Sequence, residues 1–304
     1  MPTLMLYLFG GVTLQVGASK PLSFPTKKSK SLLAFLVLSK ERTFPRSVLA
    51  GQFWPESEGE RAQRSLNSEV WRLRAMFKSA GLQPSDILVS NSEIVGFRSD
   101  CNHWVDAGEF YAATRTLHTS GVADCDLASR LTSAVRLYRG DLVEGLFDEW
   151  CLVLREAYRA RLISALEFLL EAAMQSHQWK SGVSHGRRIL ELDPLQEHVH
   201  RALMRCYLGM GNRPAALRQY EIIRQVLHDE LQIEPMDETT ELYRKIAAKM
   251  RSTDDPQFPR AALASSMAEK LDAVQRDLLR AKMALEDVGQ YFHGARGLDG
   301  VVTE

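Results

Sequence analysis

Between Glu60 and Lys78 the apolar residues Leu66, Val70, Leu73 and Phe77 recur at intervals of four, three and four. That spacing marks one stripe of an α-helix, and such a stripe must dock on a core. The same segment holds Arg61, Arg64, Arg72, Arg74 and Lys78. At roughly 100° per residue, Arg64, Ser68, Trp71 and Arg72 fall off the stripe and point largely outward. A helix that packs by one side and offers arginine and small polar groups on the other has the form needed for the major groove of DNA. A solvated basic face on an ordinary helix reads the same from this segment alone, so the flanking sequence decides.

Thr26–Lys40 begins with an N-cap candidate and continues as an apolar helix with Leu32, Leu33, Leu36 and Val37. Pro45–Trp54 reads as a short helix opened by proline and closed before Pro55. The acidic loop Pro55–Glu60 leads into the basic helix. Beyond Gly81, Ile87–Val89 and Ile94–Phe97 flank the turn Ser90–Glu93, a hairpin pattern. Three helices and a hairpin make a winged helix-turn-helix. Ahead of them Leu4–Phe9, Val12–Val16 and Leu22–Phe24 read as short strands, separated by Gly10–Gly11 and Gly17. A β-meander preceding a winged helix resembles the OmpR-type arrangement.

Charge divides the chain in the same place. Residues 1–100 carry thirteen Lys and Arg against eight Asp and Glu, a balance of +5. The whole chain is formally neutral, so the remainder carries −5. A basic front and an acidic rear favour a nucleic-acid partner for the front. With 304 residues, 45% hydrophobic and 25% charged, the chain has the length of about two globular domains. No apolar run approaches the ~20 residues of a membrane span. Leu4–Phe9 is too short, and too poor in preceding positive charge, for a signal peptide. Cys101, Cys125, Cys151 and Cys206 are widely spaced with no CxxC pair, as expected of reduced thiols in a cytoplasmic protein.

From Trp104 to about Met250 the sequence is helical and repetitive. Asp106–Leu117, Asp126–Tyr138, Glu149–Gln175, Gly182–Leu190, Leu195–Leu208, Pro214–Leu227 and Glu238–Met250 carry apolar positions at helical spacing. Shifted by 34 residues, Leu169 falls on Leu203, Ala173 on Tyr207 and the His177 turn on Gly211. That is the period of tetratricopeptide repeats, helix pairs that stack over a shared core and bind peptides or other domains on the concave face.

The run Leu203–Ile246, with its Gly211-Asn212-Arg213 turn and its Glu230-Leu231-Gln232-Ile233-Glu234-Pro235 element, closely resembles the end of the bacterial transcriptional activator domain. An OmpR-type winged helix followed by that domain is the order of the SARP-type regulators, and the resemblance spans roughly residues 3–250. It implies a mainly α fold with a small β component. A winged helix-turn-helix with N-terminal β-meander would occupy 1–100 and an all-α tetratricopeptide-like domain 101–250. It also implies a sequence-specific DNA-binding transcriptional regulator, most often an activator. Arg72 and Ser68 would lie near base edges, and Arg64, Trp71 and Arg74 near the DNA backbone. Lys28 and Lys30 are further phosphate candidates, and Asn91 is the candidate on the wing. Glu56 and Glu58, repelled by phosphate, would turn the acidic loop toward RNA polymerase. Two departures stand out. The wing Val89–Phe97 has no basic residue of its own, with Glu93 opposing phosphate contact. Glu69 sits within the recognition helix, where it either accepts from cytosine N4 or pairs with Arg72 three residues on.

No phosphate loop, GxGxxG, HExxH or GxSxG element is present, so an enzyme is not expected, nor a cofactor or metal. His198 and His200 diverge on a helix; His185, Asp193 and Glu197 read as surface residues. The remaining alternative is a tetratricopeptide-type interaction or scaffold protein whose winged helix binds protein. Such a helical domain also offers a place for a protein or small-molecule effector. Residues 251–304 hold a linker, Ser252–Pro259, and then a heptad pattern through Met267, Leu271, Val274, Leu278, Ala281, Leu285, Val288 and Phe292. Leu271, Val274, Leu278, Leu285 and Val288 are the candidates for homodimerisation through a coiled coil, though Ala281 and Gly289 weaken the seam. A helix docked on its own activator domain satisfies the same pattern.

Overall fold

The computed structural model describes residues 3–39, 43–115, 117 and 125–251, with the backbone alone at 125 and 249–251. It forms two compact units, Met1–Ile246 and Ala247–Glu304. Leu271, Val274, Leu278, Leu285 and Val288 lie outside the described residues. Everything below concerns the first unit.

Strands β1 (Leu4–Tyr7) and β2 (Thr13–Val16) form an antiparallel hairpin with Leu6 opposite Leu14. Strand alternation puts Leu4, Leu6 and Leu14 on its buried face. The third strand of this sheet is not the expected segment 22–24. It is β6 (His103–Val105), which runs parallel to β1 on its other edge. Pro21 and Pro25 flank residues 22–24 and cannot donate to a ladder; Leu22 gives one bond, from its N–H to Leu14 O at 2.8 Å.

Helix α1 (Lys27–Leu38) opens on a capping box. The Thr26 hydroxyl accepts from Ser29 N at 2.9 Å, and Ser29 Oγ accepts from Thr26 N at 3.0 Å. Strand β3 (Thr43–Pro45), at three residues too short to show alternation, leads into α2 (Arg46–Phe53) and α3 (Gly59–Ser79). The wing is β4 (Leu88–Ser90) and β5 (Ile94–Phe97), and β3 completes it in the order β3-β5-β4. Leu66, Val70, Leu73 and Phe77 of α3 are buried in the core that α1 and α2 share. Each such side chain contributes roughly 1.5–3 kcal/mol on burial.

Among the described residues seven helices follow. They are α4 (Asp106–Thr114), α5 (Cys125–Leu137), α6 (Glu149–Gln175), α7 (Trp179–Leu192), α8 (Glu197–Gly209), α9 (Arg213–Leu231) and α10 (Asp237–Arg251). The 34-residue period is visible in the turns. His177 and Gly211 both adopt positive φ, 56° and 73°. Gln178 N bonds Ala173 O and Asn212 N bonds Tyr207 O, each at 2.8 Å, so the first helix of each pair, α6 and α8, ends in the same way. Between the pairs α7 lies hard against α8: a Cβ on Gly186 would meet Leu203 Cδ2 at 2.7 Å. Glu197, expected at the surface, is buried at the start of α8. It accepts from Met236 N at 2.8 Å and from the Thr239 hydroxyl, which draws α10 against α8.

The winged helix and the helical array share one hydrophobic core. Phe9 packs edge-on against Phe110 and Tyr158 and bridges to Leu142. The buried Asp106 carboxylate accepts from Leu8 N at 2.7 Å, Phe9 N at 3.2 Å and Ala107 N at 2.7 Å. Burial raises its pKa, while those three N–H groups and Arg139 pull the other way.

Candidate nucleic-acid interface

Helix α3 buries one side and leaves the other open. Arg61, Arg64, Asn67, Ser68, Trp71, Arg74 and Lys78 are exposed, Trp71 to 70%. An indole left that open gains nothing from the core, so it costs the fold and is free for a partner. Arg61, Arg64, Arg74 and Lys78 have no carboxylate partner among the described residues. Ser68 Oγ turns back to Arg64 O at 3.0 Å. The helix thus presents a basic, uncompensated face of about five turns.

Arg72 stands at the edge of that face, with its guanidinium held on the buried Glu69 carboxylate. Glu69 also accepts from the Thr26 hydroxyl at 2.6 Å, so this acid ties α3 to the first turn of α1. Of the two roles open to Glu69, pairing with Arg72 is the one the free protein shows.

Lys28 does not stand as a free cation, whereas Lys30 has no carboxylate partner among the described residues. Lys28 Nζ pairs with Asp148 Oδ1 at 2.7 Å, and Ser31 donates to Asp148 Oδ2 at 2.5 Å. Burial opposes the Asp148 charge, but Lys28 and Ser31 outweigh it and hold the carboxyl below its ordinary value. Lys30 lies over the Phe24 ring at 5.5 Å. The partner of Lys28 is 120 residues away in sequence, which no local pattern could have revealed.

Across a groove from α3 stands the wing. Asn91 Oδ1 accepts from Glu93 N and Ile94 N, both at 2.9 Å, and so shapes the wing turn. The organiser of this groove is Arg46, at the first position of α2, which sequence reasoning missed. Its Nε donates to Asn91 O at 2.7 Å, Nη1 to Asn67 Oδ1 at 2.6 Å and Nη2 to Ser90 Oγ at 2.9 Å. One planar fork therefore joins α2, α3 and the wing. Its pKa is lowered, first by burial and then by the charge of Arg74. The acidic loop between α2 and α3 projects Glu56 and Glu58 into solvent, and neither pairs with a cation among the described residues. Among the described residues no helix is long and apolar enough to cross a membrane.

Known proteins resemble the chain along this same division. Residues 105–247 match the model of the bacterial transcriptional activator domain. The transcriptional regulatory protein MoaR1 of Mycobacterium tuberculosis is 26% identical over 245 residues, 78% of this chain and 77% of that protein. The transcriptional regulatory protein EmbR of the same species is 26% identical over 219 residues, 71% of this chain and 56% of that protein. The regulatory protein AfsR of Streptomyces coelicolor is 25% identical over 252 residues, 82% of this chain but 24% of that much longer protein. The solved structure of Mycobacterium tuberculosis EmbR in complex with a low affinity phosphopeptide shares the fold. Its TM-score is 0.67 at 21% identity, over 90% of this chain and 72% of that one. With a winged helix in front and a match to the bacterial transcriptional activator domain behind it, this chain is similar in sequence and in domain order to the SARP-type transcriptional regulators.

Proposed function

We propose that the chain regulates transcription by binding DNA through α3, and that it acts as an activator. The observation that carries this reading is the open face of α3, where four cations lack a carboxylate partner among the described residues and Trp71 stands in solvent. In the major groove Arg72 and Ser68 take the positions nearest the base edges, with Glu69 holding the Arg72 fork in place. Arg64, Trp71 and Arg74 take positions along the sugar-phosphate backbone. Selection of bound duplexes from a random pool tests this. The expected result is an enriched sequence whose affinity falls about 10³-fold or more between 50 and 200 mM salt if some six or more phosphates are contacted. No enrichment and no salt dependence would refute it.

Activation is assigned to the loop before α3. Exposed Glu56 and Glu58 repel phosphate and suit a cationic protein surface, for which we propose RNA polymerase. Replacing both with alanine is expected to leave operator affinity intact and to reduce transcription in a reconstituted assay. Equal loss of both activities would remove polymerase contact from the reading.

The alternative, a tetratricopeptide-type scaffold, has its own observation. A groove runs between α7 and α9 over a floor of Leu203 and Tyr207, with Arg187, Arg218 and the half-exposed Ile222 on its rims. It would seat a peptide or another effector. Pool selection separates the two readings, because a scaffold that uses its winged helix on protein enriches no sequence.

A further inference from the structure

The groove between α3 and the wing is lined by Arg46, Asn67, Trp71, Arg74, Ser90 and Asn91. Arg46 and Arg74 are close enough for the charge of one to act on the other. Among the described residues neither has a carboxylate partner, and Glu93, the acid of the wing turn, pairs with neither. Like charges held together without a counterion are unfavourable in the free protein, and that cost is relieved when an anion arrives. The Arg46 fork is rigid as well as charged. Three of its five N–H donors are used on Asn67, Ser90 and Asn91, so it cannot swing away, and two remain for a ligand. The rest of the lining is uncharged, amide and hydroxyl groups together with Val70 and Trp71.

We propose that this groove is a built anion site for one backbone phosphate of the DNA, held jointly by Arg46 and Arg74. The inference rests on the DNA reading above and adds the residue and the place that the reading lacks. Phosphate is the anion that matches. Its tetrahedral oxygens accept from two guanidinium forks at once, and the flat Trp71 ring offers the adjoining sugar an apolar face. The wing carries no basic residue between Val89 and Phe97, so Arg46 supplies from beneath the charge that the wing lacks. Loss of Arg46 would then remove a phosphate contact and also release the wing from α3.

The test uses the full chain and a duplex selected from a random pool. Single phosphates are neutralised one at a time as methylphosphonates, and binding is measured for wild type, Arg74→Gln, Arg46→Gln and the double variant. The expected result is one linkage whose neutralisation weakens wild type about tenfold or more and the double variant not at all. The double variant should lose about 0.9 from the slope of log K against log salt, the value for one phosphate rather than two. Arg46→Lys, which keeps charge but not the fork, should recover only part of the affinity. If every linkage that matters to wild type matters equally to the double variant, the anion site is refuted while the DNA reading stands. If wild type binds no duplex, the DNA reading falls first. The Arg74 side chain makes no hydrogen bond among the described residues, so Arg74→Gln carries the test alone if Arg46→Gln fails to fold: the linkage must lose sensitivity in that variant, and unchanged sensitivity overturns the site.

Discussion

Asp106 holds the two halves of the first unit together, and its removal should be costly. Its carboxylate is fully buried and accepts three backbone N–H groups, Leu8 and Phe9 from the end of β1 and Ala107 from the first turn of α4. Asp106→Ala leaves all three buried donors without an acceptor. A hydrogen bond to a charged group contributes roughly 1.5–3 kcal/mol, but three on one carboxylate are not additive, and the variant no longer desolvates a charge. The expected loss is about 3–5 kcal/mol, a large share of the roughly 5–15 kcal/mol that holds a domain folded. Asp106→Asn keeps one oxygen for the two short bonds and turns an NH2 toward Phe9 N, the longest of the three. About 1–2 kcal/mol is expected there. Thermal unfolding followed by circular dichroism reads the difference, and at ~2–4 °C per kcal/mol the alanine variant should melt roughly 6–20 °C lower. Limited proteolysis should then cut first near the junction of β6 and α4. If Asp106→Ala costs less than 1 kcal/mol, or if the asparagine variant is the worse of the two, the bonds assigned to this carboxylate do not stabilise the fold.

Four further outcomes follow from the same coordinates. Arg72→Ala should weaken operator binding by ~1–3 kcal/mol and relax sequence choice, which selection from a random pool would register; unchanged binding would show that α3 is docked wrongly. Gly140→Ala should destabilise by roughly 1–3 kcal/mol in a denaturant titration, because the new Cβ would meet Gly10 Cα at 2.8 Å and backbone must move. The Asp148 carboxyl is held below its ordinary value, so its contribution is present above about pH 3.8, the unfolded value, and is lost as pH falls through the folded one. Wild type and Asp148→Asn should therefore converge in stability at low pH and diverge at neutral pH. His200 is buried, its Nε2 at 3.1 Å from Pro194 O and its Nδ1 at 2.7 Å from Gln219 Nε2, and burial lowers its pKa. The unfolded chain takes up that proton first, so melting temperature should drop as pH falls below about 6.5, and His200→Gln should flatten the drop.

What the sequence shows and what it hides divide along the range of the interactions concerned. The stripe Leu66, Val70, Leu73 and Phe77 gives α3 directly, because helical periodicity is written into neighbouring residues. The 34-residue shift gives the paired turns at His177 and Gly211 for the same reason. Segment 22–24 misleads, since its apolar letters resemble a strand while Pro21 and Pro25 deny it a ladder on β2, and the sheet gains its third strand on the opposite edge, where β6 pairs with β1. The candidate site is less legible than the fold. Arg64, Ser68, Trp71 and Arg74 stand on the open face as periodicity requires. Lys28, Glu69 and Arg46 are instead defined by partners 120, 43 and up to 45 residues away. Those three contacts have a common consequence. Asp148 of the helical array grips Lys28 and Ser31 in the first turns of α1; Thr26, which caps the same helix, grips Glu69; and Glu69 grips Arg72. Asp148 of the helical array and Glu69 of α3 thus hold the same end of α1 from two sides, through different residues. Arg72 is oriented by Glu69, whose other partner caps α1, so the proposed reading face is braced by the helix on which the helical array also has its grip.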